Sequence, residues 1–134
     1  MALLPDNDNS NTGRSVLGFG ANDRPSVTGP VSLDKPTEQQ WFNTSAFVIP
    51  PRGTFGNAGR NFVYGPGLGV VNASLVKTTQ VTERLGVQFR VEAFNMLNRV
   101  NYDLPDNYLG SPTFGAILSA GSPRRIQLGL KLLF

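Results

Sequence analysis

Two residue types that carry much of protein chemistry are missing from this 134-residue chain, which has neither cysteine nor histidine. Without cysteine the chain forms no disulfide, thiolate nucleophile or cysteine-ligated metal site. Without histidine it lacks the commonest general base and the commonest metal ligand. No convincing carboxylate site replaces them, so the sequence predicts that the chain is not an enzyme and holds no metal or cofactor.

Long apolar runs are also missing. No stretch approaches the roughly 18 apolar residues of a membrane helix. The start, "MALLPDNDNS", has no basic segment and, after Met1, only three consecutive apolar residues, so it does not resemble a secretory signal. As written, such a chain would be expected to stay in the cytoplasm. Its 12 basic and 9 acidic residues are scattered, which predicts no nucleic-acid partner.

Glycine and proline, in contrast, are abundant. The 15 glycines and 10 prolines make up 25 of the 134 residues, above the usual share of about 12%. Residues 1–67 are punctuated by them and are rich in asparagine. We therefore predict an extracellular-loop-like segment there, with at most short strands. Its aromatic residues either line a ligand site on an outer surface or, as we favour, pack the loop onto itself: Trp41, Phe42, Phe47, Phe55, Phe62 and Tyr64.

From residue 68 the composition and the residue pattern become typical of β-strands. "LGVVNASLVKTTQ" has strand composition, residues 81–85 form a short polar connection, and "GVQFRVEAF" alternates apolar and polar residues. A long loop follows at residues 96–123. The closing stretch "RRIQLGLKLLF" alternates again, and its apolar row consists of Ile126, Leu128, Leu130, Leu132 and Phe134.

This pattern predicts three antiparallel strands. Residues 70–80 and 86–95 should form a hairpin, and residues 125–134 should pair with 86–95. Successive side chains of a strand point to opposite faces, so one face should be apolar and the other polar. Two positions break the alternation: Phe94 falls on the polar face and Lys77 on the apolar one. The apolar side of such a strand faces either the core of a soluble protein or the lipid of a membrane.

An acidic stretch near the start resembles a calcium-binding loop. Asp6, Asp8 and Ser10 stand at alternate positions, as in such loops. However, Asn11 replaces the glycine at the sixth position and Leu17 replaces the glutamate at the twelfth. We therefore favour a solvated loop.

Two further features have weak functional alternatives. Asp103 and Asp106 could hold a cation or act as a carboxylate pair, but no base or nucleophile lies near them in the sequence. The glycine-rich stretch "GPGLGV" precedes a strand and opens no helix, so phosphate binding is not expected there.

Several stretches together resemble a known family. "VEAFNMLNRVNY" is similar to the end of the penultimate strand in TonB-dependent outer-membrane transporters, where an Asn-Leu-Phe-Asn/Asp type motif precedes an aromatic residue. "SPRRIQLGLKLLF" resembles their last strand. The run from "GTFGNAGRNFVYGPG" to "NYDLP", with "WFNTSAFVIP" and "GANDRPSV", is similar to the Oar-like branch, whose members often carry a carboxypeptidase-regulatory-like domain.

The resemblance implies an all-β fold, the C-terminal end of a transmembrane β-barrel preceded by a long irregular region. It implies that the chain is part of a longer transporter for a scarce nutrient, and that alone it transports nothing. It places the protein in the outer membrane, in contact with lipid. It also implies that TonB is contacted only through a missing N-terminal part. The residues implied as the signal to the β-barrel assembly machinery are Ile126, Leu128, Leu130, Leu132 and Phe134.

Aromatic residues of the predicted loops are candidates for contact with an extracellular ligand: Trp41, Phe42, Tyr102 and Tyr108. A competing hypothesis is that the chain is a soluble, secreted β-sandwich used for binding or adhesion. In that case the closing strand would be an ordinary core strand. The two hypotheses differ in whether the apolar face of the sheet is covered.

Overall fold

The computed structural model describes residues 1–3, 7–13 and 23–134. Asp6 and Leu17 of the calcium-loop interpretation lie outside these residues. The described residues contain no α-helix, and the all-β prediction is confirmed. The strands are Ala2–Leu3 (β1), Ser26–Val27 (β2), Phe47–Val48 (β3), Ala73–Gln80 (β4), Gly86–Phe94 (β5), Tyr108–Leu109 (β6) and Arg125–Leu133 (β7), with a 3₁₀ turn at Thr44–Ala46.

The three long strands form one antiparallel sheet in the order β4-β5-β7. In β4 and β5, Ala73 lies opposite Ala93 at one end and Gln80 opposite Gly86 at the other. β7 pairs with the other edge of β5. The predicted hairpin and the predicted pairing of the closing strand are therefore both confirmed, with strand ends within three residues of those expected.

The hairpin closes through local hydrogen bonds. The Val81 N–H donates to the Leu85 carbonyl at 2.8 Å, and the Leu85 N–H donates to Thr82 Oγ1 at 3.1 Å. A threonine hydroxyl that accepts from the backbone three residues later stabilises a tight local turn. This short connection fixes how β4 and β5 align.

The contacts divide the chain into two units. One consists of Met1–Pro66 with Asp103–Ser119, and the other of Gly67–Tyr102 with Ala120–Phe134. The second unit contains the three-stranded sheet. The first contains the short strands, in which β1 pairs with β6 in parallel and β2 pairs with β3 in antiparallel fashion. The middle of the long loop thus packs with the early part of the chain.

The first unit is held by an aromatic cluster. The ring of Phe42 packs edge-on against Phe47 and Phe114, with centroid distances of 5.5 and 5.2 Å, and Phe47 and Phe114 are 5.6 Å apart. Edge-to-face pairs at this spacing add stability beyond the apolar area that they bury. Ala46 completes the buried cluster, and Phe62 packs against it.

The cluster favours the self-packing interpretation for part of the aromatic set. Phe42 and Phe47 are buried, whereas Phe55 and Tyr64 are largely exposed. Trp41 is partly buried, and its indole N–H donates to the Tyr64 carbonyl at 2.9 Å.

The role of Phe42 can be tested by truncation. Phe42→Ala should destabilise the first unit by about 3–5 kcal/mol, because it removes a buried ring that contacts two others. Unfolding in urea, followed in detergent by the fluorescence of Trp41, the chain's one tryptophan, measures the loss. Phe55→Ala is the matched control: its ring is 65% exposed, so the effect should stay within about 0.5 kcal/mol. Equal losses would contradict the cluster's role.

Candidate functional site

One face of the three-stranded sheet is apolar across all three strands. The observed register places Val87 beside Leu132, Phe89 beside Leu130 and Val91 beside Leu128. Residues directly opposite in an antiparallel pair share a face. The full set, in the rows that cross β4, β5 and β7, is Thr79, Val87 and Leu132; Lys77, Phe89 and Leu130; Leu75, Val91 and Leu128; and Ala73, Ala93 and Ile126.

This apolar face is uncovered. Leu128 and Leu130 are 67% and 70% exposed, and Leu75 on β4 is 68% exposed. Phe134 is fully exposed, and the register of β7 continued by one residue would bring it opposite Leu85. Soluble proteins rarely leave an apolar surface of this extent in water. The face is therefore suited to an apolar environment that the described residues do not supply.

The opposite face is polar. Arg90 donates to Glu92 along β5 at 3.4 Å, the observed ion pair of the sheet. Gln88 donates to Thr78 across the β4–β5 pair at 3.1 Å, and Gln127 lies opposite Glu92 on β7. Arg90 is half exposed, so its ion pair contributes little stability. The predicted separation of Arg90, Glu92, Gln127 and Lys131 from the apolar row is confirmed.

The two predicted exceptions are also present. Phe94 lies on the polar face, opposite Arg125. Lys77 lies on the apolar face beside Phe89, in the same row as Leu130. A lysine near the middle of a lipid-facing strand costs about 2–4 kcal/mol. Its methylene stem can lie along the apolar surface while the ammonium group reaches toward polar surroundings.

The sheet has the dimensions of membrane-spanning strands. β5 and β7 have nine residues each, and a spanning strand needs about 9–11. Nine residues extend about 30 Å, which a tilt of about 40° reduces to about 23 Å, close to the apolar band of about 25 Å in outer-membrane barrels.

Both edges of the sheet are open. Within the described residues, β4 and β7 each pair only with β5. Each open edge presents a row of N–H and C=O groups without partners. In lipid such groups cost several kcal/mol each, so an apolar-faced sheet is stable there only when further strands close it.

An asparagine network organises the end of the sheet opposite the hairpin. Asn95 follows β5 in the left-handed conformation, with φ of 49°, and is 5% exposed. Its amide donates to the carbonyls of Arg99 (2.9 Å) and Ser122 (3.2 Å) and accepts from the Arg99 N–H (3.1 Å). Its own N–H donates to Asn72 Oδ1 at 3.0 Å. Through its backbone and side chain together, this one residue ties the end of β5 to the segments before β4 and β7.

Asn98 and Asn101 extend this network. Asn98, also left-handed with φ of 50°, accepts from the Arg124 N–H at 3.1 Å. Asn101 is buried; its amide accepts from the Gly69 N–H at 2.8 Å and donates to the Arg99 carbonyl at 3.2 Å. Sequence reasoning gave these residues no structural role, although the spacing of three between Asn95, Asn98 and Asn101 was visible as a signal.

The stretch "GPGLGV" has a steric role. A Cβ at Gly69 would lie 2.7 Å from Arg99 Nη1, so any other residue would displace that side chain. A Cβ at Gly65 would lie 2.5 Å from Leu104 Cδ2. These two glycines leave space for the side chains of Arg99 and Leu104.

The candidate ligand-contacting aromatics are not equivalent. Phe42 is 2% exposed and offers no ring surface to a ligand in this structure. Trp41 is partly buried, and Tyr108 is exposed at the start of β6. These three belong to the first unit, whereas Tyr102 belongs to the second, where it forms a bridge with Ala120.

The two aspartates of the long loop are used in its structure. Asp103 accepts from the Ser119 hydroxyl at 2.5 Å. Asp106 accepts from the hydroxyls of Ser111 (2.5 Å) and Thr113 (2.6 Å) and from the Tyr108 N–H (3.1 Å). Partial burial raises the pKa of the Asp106 carboxyl, but hydrogen bonds from Ser111, Thr113 and the backbone of Tyr108 and Asn107 outweigh burial, so this pKa lies below the ordinary value.

The described part of the calcium-like stretch is also closed by its own hydrogen bonds. Asp8 accepts from the backbone N–H groups of Thr12 (3.2 Å) and Gly13 (2.8 Å). Ser10 donates its N–H and its hydroxyl to Asp23, at 2.7 and 2.9 Å. No group of three or more acidic side chains placed to hold a metal occurs within residues 1–3, 7–13 and 23–134.

Among the same described residues, no helix has the length and apolar character needed to cross a bilayer.

The comparisons with known proteins agree with the geometry of the sheet. A family model described as "Outer membrane beta barrel domain" matches residues 3–127. The chain belongs to this family and is therefore part of an outer-membrane β-barrel protein. No curated protein matches the chain significantly. No solved structure does either.

Asn95 should be the most sensitive residue of the network. Asn95→Ala leaves two carbonyls and one N–H without partners, and alanine tolerates the positive φ at this position less well than asparagine does. We expect a loss of about 2–5 kcal/mol, measured by urea unfolding in detergent. Asn95→Gly relieves only the backbone strain and should not restore stability. Asn107→Ala, an exposed asparagine, is the control, and a comparable loss there would refute the network's importance.

Asp106 should make the first unit sensitive to acid. Because its folded pKa is depressed, its contribution to stability is complete above its unfolded pKa and is lost as the pH falls through the lower folded value. Asp106→Asn should therefore be less stable than wild type at neutral pH, and the difference should shrink below about pH 4. The fluorescence of Trp41, whose backbone N–H donates to the Gly115 carbonyl, reports thermal unfolding. A difference that persists unchanged to about pH 2 would contradict this role of Asp106.

Proposed function

We propose that the chain supplies three neighbouring strands and a long loop to a TonB-dependent outer-membrane transporter of the Oar-like type, which imports a scarce nutrient. The observation that carries this proposal is the sheet with one uncovered apolar face, one polar face and two open edges. The family match supports the outer-membrane β-barrel, and the resemblance of "VEAFNMLNRVNY" and "SPRRIQLGLKLLF" to strands of such transporters supports the finer assignment.

The open edges favour a barrel larger than this sheet. Further strands must pair with β4 and β7 before the sheet is stable in lipid. Three strands enclose no lumen, so transport requires the completed barrel. Contact with TonB then lies outside these 134 residues.

The connections suggest an orientation. Outer-membrane barrels have short turns on the periplasmic side and long loops outside. The hairpin at residues 81–85 is therefore assigned to the periplasmic side, and the connection between β5 and β7 to the extracellular side. On this assignment Asn95 lies at the outer rim, and Tyr108 lies in an extracellular loop with Trp41 in the same unit as candidates for ligand contact.

A soluble β-sandwich fits the sheet less well. A sandwich covers the apolar face of each sheet with a second one, whereas Leu130 remains 70% exposed. Among the residues that the structure describes, neither the sheet nor the loops offer a constellation of catalytic groups, and we propose no enzymatic activity.

TonB dependence can be tested genetically. Cells lacking the protein and cells lacking TonB are grown singly and in combination on media limited in one nutrient at a time. We expect a growth defect on one nutrient that does not increase when both are absent, because uptake through this protein would require TonB. A defect that persists, at full size, in a background already lacking TonB would indicate a passive pore.

Lipid contact can be tested on the two faces of β7. Leu130 lies in the middle of the five apolar positions from Ile126 to Phe134. Leu130→Arg should destabilise the membrane-inserted protein by about 2–4 kcal/mol, and Gln127→Arg on the polar face should have little effect. The measurement is unfolding from lipid vesicles. A larger loss for Gln127→Arg would reverse the assignment of the faces.

Recognition by the β-barrel assembly machinery is proposed to use β7. Its open edge can accept another strand, and its apolar row ends in the fully exposed Phe134. Phe134→Ser should lower the amount of heat-modifiable barrel in outer membranes more than Tyr108→Ser does. Equal decreases for the two variants would remove this role from Phe134.

A further inference from the structure

A cavity of about 220 Å³ opens at the rim of the sheet, where β5 ends and β7 begins. Its walls include Asn72, Phe94, Asn101, Ser122 and Arg125. All of them belong to the second unit. The cavity is smaller than the roughly 300–1,000 Å³ of typical drug-sized sites, so it suits a small molecule.

Among the described residues that line the cavity, Asn72, Asn101, Ser122 and Arg125 carry hydrogen-bond donors, and none carries a carboxylate. Arg125 is exposed, and its guanidinium forms no ion pair or hydrogen bond with the described residues. A guanidinium presents five N–H donors in a planar fork that matches a carboxylate. An anion placed here would meet a positive charge that the sheet itself leaves unneutralised.

The two asparagines add donors, because each amide oxygen already accepts one backbone hydrogen bond and each amino group keeps at least one N–H available. Asn72 Oδ1 accepts from the Asn95 N–H, and Asn101 Oδ1 accepts from the Gly69 N–H. For an anionic ligand the useful group of each amide is its amino group, which is a donor. Asn101 uses one of its two N–H groups for the Arg99 carbonyl, and in the described part of the chain Asn72 uses neither.

Phe94 gives the cavity an apolar wall. It interrupts the polar face of β5, and its register partner on β7 is Arg125. A ring beside a cation suits a ligand that combines an anionic group with a flat apolar part.

We propose that this cavity binds a small organic anion, with its carboxylate on Arg125 and the amino groups of Asn72 and Asn101, and its apolar part against Phe94. The inference rests on the proposed function, since it takes the polar face as the barrel's interior and this rim as the side that solutes reach first. It names a substrate class for that transporter.

A larger groove shares two of these residues but carries no proposal. It is lined by Phe94, Arg125, Ile126, Gln127 and Leu128 and so includes residues from both faces of β7. It therefore follows the open edge of β7, where another strand of a closed barrel would pair.

The test uses the protein purified from outer membranes in detergent, with benzoate as the probe and benzamide as its neutral counterpart. Calorimetric titration should show saturable binding of benzoate and none of benzamide. Arg125→Gln should weaken benzoate binding about tenfold or more, as expected for loss of a charge-assisted contact. Arg124→Gln is the matched control, because the neighbouring arginine does not line the cavity, and it should leave binding unchanged.

Phe94→Ala separates the two parts of the proposed ligand. It should weaken benzoate about threefold or more and leave the affinity for acetate, which has no ring, unchanged. Absence of saturable benzoate binding at millimolar concentrations, or an equal loss with Arg124→Gln, would overturn the site. If benzoate does not bind, TonB-dependent growth and a heat-modifiable barrel would still support the proposed transporter. If benzoate binds but growth does not depend on TonB, the transporter assignment fails and the anion site stands.

Discussion

The pairing of β5 with both of its neighbours is the constraint on which the rest of the sheet depends. Side chains alternate between faces, so a shift of either partner by one residue would move its entire apolar row to the polar side. The observed register keeps Phe89 beside Leu130 and Glu92 beside Gln127. Two devices hold it: the Thr82–Leu85 turn at one end and the Asn95 network at the other. The uncovered apolar face, and with it the preference for a membrane, follows from this alignment.

The sheet could be predicted from the sequence because its signals are local. Alternation in "GVQFRVEAF" and "RRIQLGLKLLF" specifies strands, and the short connection at residues 81–85 specifies their antiparallel pairing. Even the exceptions, Lys77 and Phe94, followed from counting positions. Their consequences did not, since the proximity of Phe94 to Arg125 depends on the register between strands that are 30 residues apart in the sequence. The choice between a membrane β-barrel and a soluble β-sandwich also required the observed exposure of Leu130.

The candidate site could be predicted only in part, because its contacts are distant in sequence. Asn95 meets Asn72 and Ser122 across 23 and 27 positions, and no periodicity announces such a contact. The aromatic cluster of the first unit has the same character: Phe42 packs on Phe114, which the sequence places in a different loop. Composition predicted that residues 1–67 are irregular but could not pair Met1–Pro66 with Asp103–Ser119. The structural roles of asparagine, glycine and aromatic residues in irregular segments depend on such tertiary contacts and therefore cannot be predicted from local sequence.

The sheet and its rim therefore restrict the amino-acid sequence in different ways. The apolar face needs only residues of suitable polarity at alternate positions, and many sequences would satisfy it. The rim needs particular groups: an amide at Asn95 that can donate twice and accept once, a left-handed backbone there, and the absence of a side chain at Gly69 beside Arg99. A hydrophobic substitution among Leu128, Leu130 and Leu132 preserves the first requirement, whereas hardly any residue can replace Asn95. The proposed anion site thus lies beside the least replaceable part of the sheet, where the register of β5 and β7 places Phe94 opposite Arg125.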